Sequence, residues 1–398
     1  MVGKKILIIS EVFHPEDFII NDIAIDWQKR GNLVEVLTRN PSYPYGKVYP
    51  NYKNKWIQSE FYEGIKINRV KVLQGYRDNR FIKILNYFIN SIVASFWALW
   101  HIKREYDYIF IHQTGPLTFA SPGYLFARIR KIPTIIWTMD VWPDSVFSYG
   151  YCKKGLSRKI LIFYVKSIYK RMSKVIVTSP GFIEPLESFI SNKKIFVIPQ
   201  WSRTVSKSSR EIKLQGSFNI VFTGNVGEAQ NLEMILYAFE RIKDEIEKKR
   251  VYFHIVGDGS SLKKLKSLQQ NLLIPNVVFW GRRPLEEMGV FYEESDILLL
   301  PLKSDPIFNK VIPAKFQSYL AAGKPILGVC EGQISEYLEK YNLGWSVSPK
   351  SVDEIADSIL KIICSPIDFE GYRKRTLSFY NLNYSKESVL KQFDLVIN

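Results

Sequence analysis

Apolar residues in this chain gather into short continuous runs, most of them separated by stretches with helical spacing. In the first half the runs fall at 4–10 (KKILIIS), 33–38, 106–112, 134–140, 174–179 and 195–200. In the second half they fall at 219–224, 251–257, 277–281, 296–302 and 325–330. Continuously apolar strands alternating with helices belong to parallel sheets, because each crossover lays a helix over the sheet and both faces are covered. The pattern therefore predicts an α/β fold of two doubly wound, Rossmann-like parallel-sheet domains, 1–200 and 201–375, with a C-terminal helix over 376–398 packing back on the first. The join is expected within 201–217, a polar stretch that is poor in periodic apolar residues and ends in Gly216.

Two such domains in series are expected to face each other across a cleft and to bind ligands beyond the C-terminal ends of their strands. Glycines mark those ends in the second half. The first strand runs into FTGNVGEAQ, where Gly224 and Gly227 bracket a turn with Asn225 between them. The next exit carries Gly257, Asp258 and Gly259, and the third carries GRRP with Arg282. Glycines let a backbone approach an anion closely, although GxxG after a strand is as often only a tight turn. After the fourth strand comes LPLKSDPIFNKVIPAKFQSYLAAGKPI, in which Pro313 is expected to open a helix ended by Gly323 and Pro325. Lys310 and Lys315 flank that start, so the helix N-terminus and two cations would suit a nucleotide diphosphate. The competing reading is a surface helix with solvated lysines.

Composition narrows the class. A chain of 398 residues, 46% hydrophobic and 24% charged, is long enough for two cores. Three scattered cysteines, Cys152, Cys330 and Cys364, support neither a disulfide framework nor a thiolate zinc site. The opening residues run straight into a strand pattern without the features of a signal peptide, so a cytoplasmic protein is expected. The formal net charge of +16 is uneven: residues 1–200 hold 29 Lys and Arg against 15 Asp and Glu, whereas the rest hold 26 against 24. A basic half beside a near-neutral half points to an anionic surface or substrate.

The chain resembles a GT-B-fold retaining glycosyltransferase of family four, and within it the bacterial O-antigen and capsule enzymes that include N-acetyl-L-fucosamine transferases. The stretches that carry the resemblance are SEVFHPEDFIINDIA (10–24), MDVWPDSVF (139–147), PGFIEPL (180–186), TGNVGEAQ (223–230), DPIF (305–308) and IPAKFQSYLAAGKPI (312–326). It implies a UDP-sugar donor on the second domain and an acceptor on the first, with no cofactor beyond the donor substrate. It also implies transfer with retention, in which the departing phosphate oxygen takes the acceptor proton and catalysis rests on positioning and charge stabilisation. Many members carry two glutamates eight apart around the last motif, the second holding the donor ribose; here the aligned positions are Lys310 and Ser318. Many also place Arg and Lys after the first strand of the second domain, where this chain has Asn225 and Gln230. The neutralising charge is then expected from Lys310, Lys315, Arg282 or Arg203.

On the acceptor side the candidates are His14, Glu16, Asp17, Asp140 and Asp144, just past the first and fourth apolar runs. Asp144 could instead cap the next helix. Asp140 directly ends a strand and is the stronger choice, with His112 second. No DxD sequence occurs and the four histidines are dispersed, so no metal site is expected.

Two stretches speak for a membrane surface. Residues 81–102, FIKILNYFINSIVASFWALWHI, are long enough to span a bilayer, but the strands on either side should share one sheet, which leaves a buried crossover helix or an interfacial one. Residues 153–174 set eight Lys or Arg among Ile, Leu, Phe and Tyr, as interfacial helices do. Peripheral attachment to the inner face of the plasma membrane and a lipid-linked glycan acceptor are therefore expected, and nucleic acid is not, because no recognised motif for it accompanies the charge. A non-hydrolysing UDP-sugar 2-epimerase would share the architecture but need no basic half. A non-catalytic subunit of a polysaccharide assembly complex would keep the fold and bind no donor.

Overall fold

The computed structural model describes residues 3–76, 79–148, 151–152, 154–202 and 212–397. The chain forms two compact units: the first runs to Ile198 and takes in the stretch from Leu390 onward, and the second is Pro199–Val389.

The first unit is built on eight strands: β1 (Lys5–Ser10), β2 (Leu33–Arg39), β3 (Ile57–Tyr62), β4 (Ile65–Val70), β5 (Tyr108–Gln113), β6 (Thr134–Thr138), β7 (Lys174–Val177) and β8 (Ile195–Val197). They lie in the order β3-β4-β2-β1-β5-β6-β7-β8, all parallel except for the β3–β4 hairpin. That hairpin is absent from the apolar pattern because β3 is half-exposed along its length. Its turn uses Glu63 and Gly64, both at positive φ, the geometry whose twist matches paired strands. Strand order reverses between β1 and β5, where Ser10 stands beside His112.

The second unit holds β9 (Phe218–Thr223), β10 (Val251–Val256), β11 (Val277–Gly281), β12 (Ile297–Pro301), β13 (Ile326–Val329) and β14 (Gly344–Val347). All are parallel, in the order β11-β10-β9-β12-β13-β14, so the reversal falls between β9 and β12. Alternate residues of β9 feed two cores: Ile220 and Phe222 pack with Ile235, Leu236 and Phe239 on one face, and Val221 packs with Phe316, Tyr319 and Leu320 on the other. Burial on both faces is what made these runs readable as strands.

Three expectations change. The join falls at Ile198–Pro199, ahead of the polar stretch, because Trp201 and Ser202 are buried within the second unit; residues 203–211 of that stretch lie outside the described residues. The C-terminal segment is two helices. Phe369–Asn383 belongs to the second unit, while Lys386–Ile397 carries Phe393 into the first, 4.8 Å from Trp137 and 5.8 Å from Phe110 between ring centres. Pro313 precedes its helix in extended conformation, and the helix is Ala314–Ala321.

Candidate functional site

In the second unit the strand exits interlock through bare backbone. The Gly224 amide donates to the Val256 carbonyl at 2.9 Å, and the Gly257 amide donates to the Gly281 carbonyl at 2.8 Å. Gly257 has φ +150°, and a Cβ there would stand 1.8 Å from the Gly224 oxygen, so no other residue fits. The Val226 amide donates to the Asp258 carbonyl at 2.9 Å. Asp258 itself is exposed and accepts its neighbour's amide, from Gly259, at 2.8 Å. Gln230 Oε1 accepts the Gly227 amide at 3.1 Å, and Asn225 Nδ2 lies against the same glycine. The Lys303 amide donates to the Ala229 carbonyl at 2.8 Å, which ties the exit of β12 to that of β9.

Lys315 completes this rim. It sits on the second residue of the Ala314–Ala321 helix, and its amine is buried with no hydrogen-bond partner. The nitrogen lies 4.1 Å from the centre of the Phe222 ring and would be 3.6 Å from a Cβ at Gly224. Burial pushes its pKa down to about 7. A buried cation with an aromatic face on one side and an open glycine on the other is short of an anion.

The remaining donor-side candidates separate. Ser318 Oγ shares a hydrogen bond with Ser202 Oγ at 3.0 Å. Lys310 ends a short helical turn, Phe308–Lys310, apart from the helix that carries Lys315. Arg282 is exposed at the exit of β11, and Arg203 lies outside the described residues. Sequence reasoning passed over Tyr319, whose hydroxyl accepts the Thr223 amide at 2.9 Å and fixes the end of β9. Its position four residues after Lys315, on the same helical face, was the available signal. Glu331 was also missed: it takes Lys350 at 2.7 Å and the Ser304 hydroxyl at 2.8 Å, and so pins the exit loop of β12.

In the first unit the expected acceptor residues divide in the same way. Glu16 is buried, and its Oε1 accepts the backbone amides of Ser42 and Tyr43 at 2.7 and 2.6 Å, while its Oε2 has no hydrogen-bond partner. Arg39, fully covered, faces both Glu16 at 3.6 Å and Glu11 at 3.4 Å. Burial raises the Glu11 pKa against the pull of Arg39. These two acids hold the loop after β1 in shape. The His14 ring stacks on Tyr62 with centres 3.5 Å apart, and burial lowers its pKa. Asp17 is exposed, and Asp144 opens the Asp144–Ser148 helix, where an acid suits the N-terminal partial charge.

Asp140 stands half-buried just beyond β6. Burial raises its pKa, while the neighbouring Ser145 and Trp142 pull the other way. Its backbone carbonyl accepts from Gln113 Nε2 at 2.9 Å, tying it to the end of β5. At that end His112 is buried, 3.0 Å from Ser10 Oγ through Nδ1. The serine proton goes to the Val12 carbonyl at 2.7 Å, so Nδ1 carries the ring proton and Nε2 is left an acceptor. Burial holds the His112 pKa down to about 3, which keeps the ring neutral. Asp140, His112 and Glu11 thus gather at the C-terminal edge of the first sheet. Among the described residues no three His, Cys, Asp or Glu side chains converge as a metal site.

Two open sheets, the first parallel but for one hairpin and the second wholly parallel, each with polar side chains at the strand ends beside the order reversal, make a GT-B-like pair of α/β domains. Residues 206–376, which make up most of the second unit, match the model of the glycosyl transferases group 1 family. Over 98% of its length the chain is 24% identical to 98% of a putative colanic acid biosynthesis glycosyl transferase, WcaI, of Escherichia coli strain K12. Over 70% of its length it is 25% identical to 72% of a probable glycosyltransferase, WbjE, of Pseudomonas aeruginosa. Among solved structures, sucrose-phosphate synthase from Thermosynechococcus elongatus superposes with TM-score 0.70 at 14% identity, covering 99% of this chain and 98% of that one. Anabaena Alr3699/HepE in complex with UDP gives 0.68 at 13% identity, with 99% of each chain covered. At these identities the two structures establish the shared fold.

Proposed function

We propose that this protein transfers a sugar from a UDP-sugar to a polyprenyl-diphosphate-linked glycan during assembly of a bacterial surface polysaccharide, O-antigen or capsule. The sugar is an N-acetylamino sugar of the N-acetyl-L-fucosamine kind, and transfer proceeds with retention and without a metal ion. The observation that carries the reading is the buried, partnerless Lys315 amine beside Gly224. A diphosphate there would restore the amine's charge and receive the neutralisation that other transferases take from Arg and Lys after the first strand. The colanic acid assignment of one relative and the UDP complex of a structural neighbour support the substrate classes. The bond from the sugar's anomeric carbon to the phosphate oxygen breaks as the acceptor oxygen bonds to that carbon on the same face. The acceptor proton passes to the departing phosphate oxygen. Lys315 stabilises the charge that develops on the diphosphate, and Asp140 orients the acceptor hydroxyl.

The test is incubation of purified protein with a panel of UDP-sugars and a polyprenyl-diphosphate glycan, read by product mass. One UDP-sugar should extend the acceptor by a single residue with its anomeric configuration kept. Absence of any extension, with the protein folded and the panel inclusive of N-acetylamino sugars, overturns the proposal.

A further inference from the structure

The helix Arg80–Trp100 presents a row of large apolar side chains to solvent: Phe81, Leu85, Phe88, Ile92, Phe96 and Trp100, the last three 53%, 66% and 88% exposed. Their spacing of three or four residues puts them on one stripe. The opposite face is bound to the first unit. Asn86 and Asn90 are buried, with Asn86 Oδ1 accepting the Leu73 amide at 2.8 Å, and Ala94, Trp97 and Ala98 pack inward. Sequence length allows a spanning helix, but one whole face is committed to the domain, so the helix meets any bilayer side-on.

Its neighbours extend the same surface. Ser91 Oγ lies 3.2 Å from Ser121 Oγ, and Ser121 Oγ lies 2.9 Å from the Tyr164 hydroxyl, which links Arg80–Trp100 through Ser121–Ile129 to Gly155–Arg171. That third helix exposes Leu156, Ile160 and Phe163 beside Lys159, Lys166 and Lys170. None of the three helices contains a carboxylate. Between Asn79 and Ile183 the sequence has 15 Lys and Arg against four Asp and Glu.

We infer that these three helices form a docking platform for an anionic lipid bilayer, with the Arg80–Trp100 stripe inserted below the headgroups and the basic residues of Gly155–Arg171 among them. Charge decides the occupant. A second copy would set cation against cation across the interface, whereas acidic headgroups complement every basic side chain on it. The inference goes beyond the transferase reading, because it assigns a lipid surface on the first unit and stands whatever sugar the second unit binds.

The experiment is vesicle co-sedimentation of the full chain with phosphatidylcholine vesicles, with and without phosphatidylglycerol, and with UDP affinity measured in parallel. The parent should sediment with the anionic vesicles and loosen partly as salt rises, since apolar insertion outlasts screening. Replacing Phe88, Ile92 and Phe96 by Ser should weaken partitioning by at least about tenfold and leave UDP affinity and melting temperature unchanged, because these side chains are exposed. Lys159, Lys166 and Lys170 to Glu should abolish the preference for anionic lipid. The inference is overturned by a parent that ignores anionic vesicles at low salt, by a Ser variant that binds them as the parent does, or by a parent whose stripe instead buries itself in a dimer that the Ser variant dissociates. Loss of UDP binding with lipid binding intact would count against the transferase reading alone.

Discussion

Lys315 and Tyr319 stand one helical turn apart and both reach back to the end of β9: the Tyr319 hydroxyl holds the Thr223 amide at 2.9 Å while the Lys315 amine faces Gly224. One helix face therefore fixes the strand end and supplies the cation beside it. Replacing Lys315 by Ala should weaken UDP binding by about ten- to a hundredfold, the value of a charged contact of roughly 1.5 to 3 kcal/mol. Calorimetric titration with UDP measures this, and an unchanged affinity would move the neutralising charge to another residue.

The same amine makes donor binding depend on pH in a defined direction. Burial lowers its pKa to about 7, so above that pH the empty site is mostly neutral. A diphosphate binds the charged form, and binding above pH 7 must then take up a proton. UDP affinity should fall as pH rises through this value. Titrations at alkaline pH in buffers of different ionisation enthalpy should report proton uptake in the parent and none in the Lys315→Ala variant. Because the unfolded lysine titrates near 10.4, the unfolded chain holds more protons between the two values, and this group's contribution to folding stability rises with pH across that window.

Gly257 is the position at which the rim tolerates least. A methyl group there would meet the Gly224 oxygen at 1.8 Å, and backbone cannot swing away as a flexible side chain can. Gly257→Ala should cost about 3 kcal/mol, the upper end for overpacking, and should reduce UDP affinity because Gly224 must shift. Thermal unfolding and UDP titration read the two effects separately.

Five strands of the second sheet were legible because each is a continuous apolar run with glycine or proline beside it, whereas β14, half-buried and carrying Ser346, was not. The β3–β4 hairpin was not, since one strand of it is half-exposed and carries Gln, Ser and Glu. Lys315 could be named from its place at a helix start, but its isolation could not: the absence of a partner depends on where Phe222 and Gly224 lie, and those come from another strand. Glu16 shows the converse. Its place after β1 was legible, but the two backbone amides 26 and 27 residues away that its Oε1 accepts were not, because contacts at that separation leave no local trace in a sequence.

Transfer should continue in excess chelator. Diphosphate charge is assigned to Lys315 and to the helix that carries it, so removing divalent ions takes away nothing the mechanism uses. Turnover measured with and without chelator checks this, and a complete loss restored by magnesium or manganese would require a metal at the diphosphate.

Substitution of Asp140 tests the proposed acceptor role apart from donor binding. Its carboxylate stands at the end of β6, its carbonyl is held by Gln113, and burial raises its pKa, all in the first unit. Asp140→Asn keeps the shape and the carbonyl contact but removes the charged acceptor of a sugar hydroxyl. A hydrogen bond to a charged group is worth about 1.5 to 3 kcal/mol, so turnover on the lipid-linked glycan should fall by roughly ten- to a hundredfold. UDP affinity should stay within experimental error of the parent, because the residues proposed to hold the donor belong to the second unit. Since the parent carboxyl titrates higher than a free aspartate, the parent's kcat/KM should also decline as acid protonates it, and the Asn variant should lack that limb. Equal turnover of parent and variant across the pH range would remove Asp140 from the acceptor site.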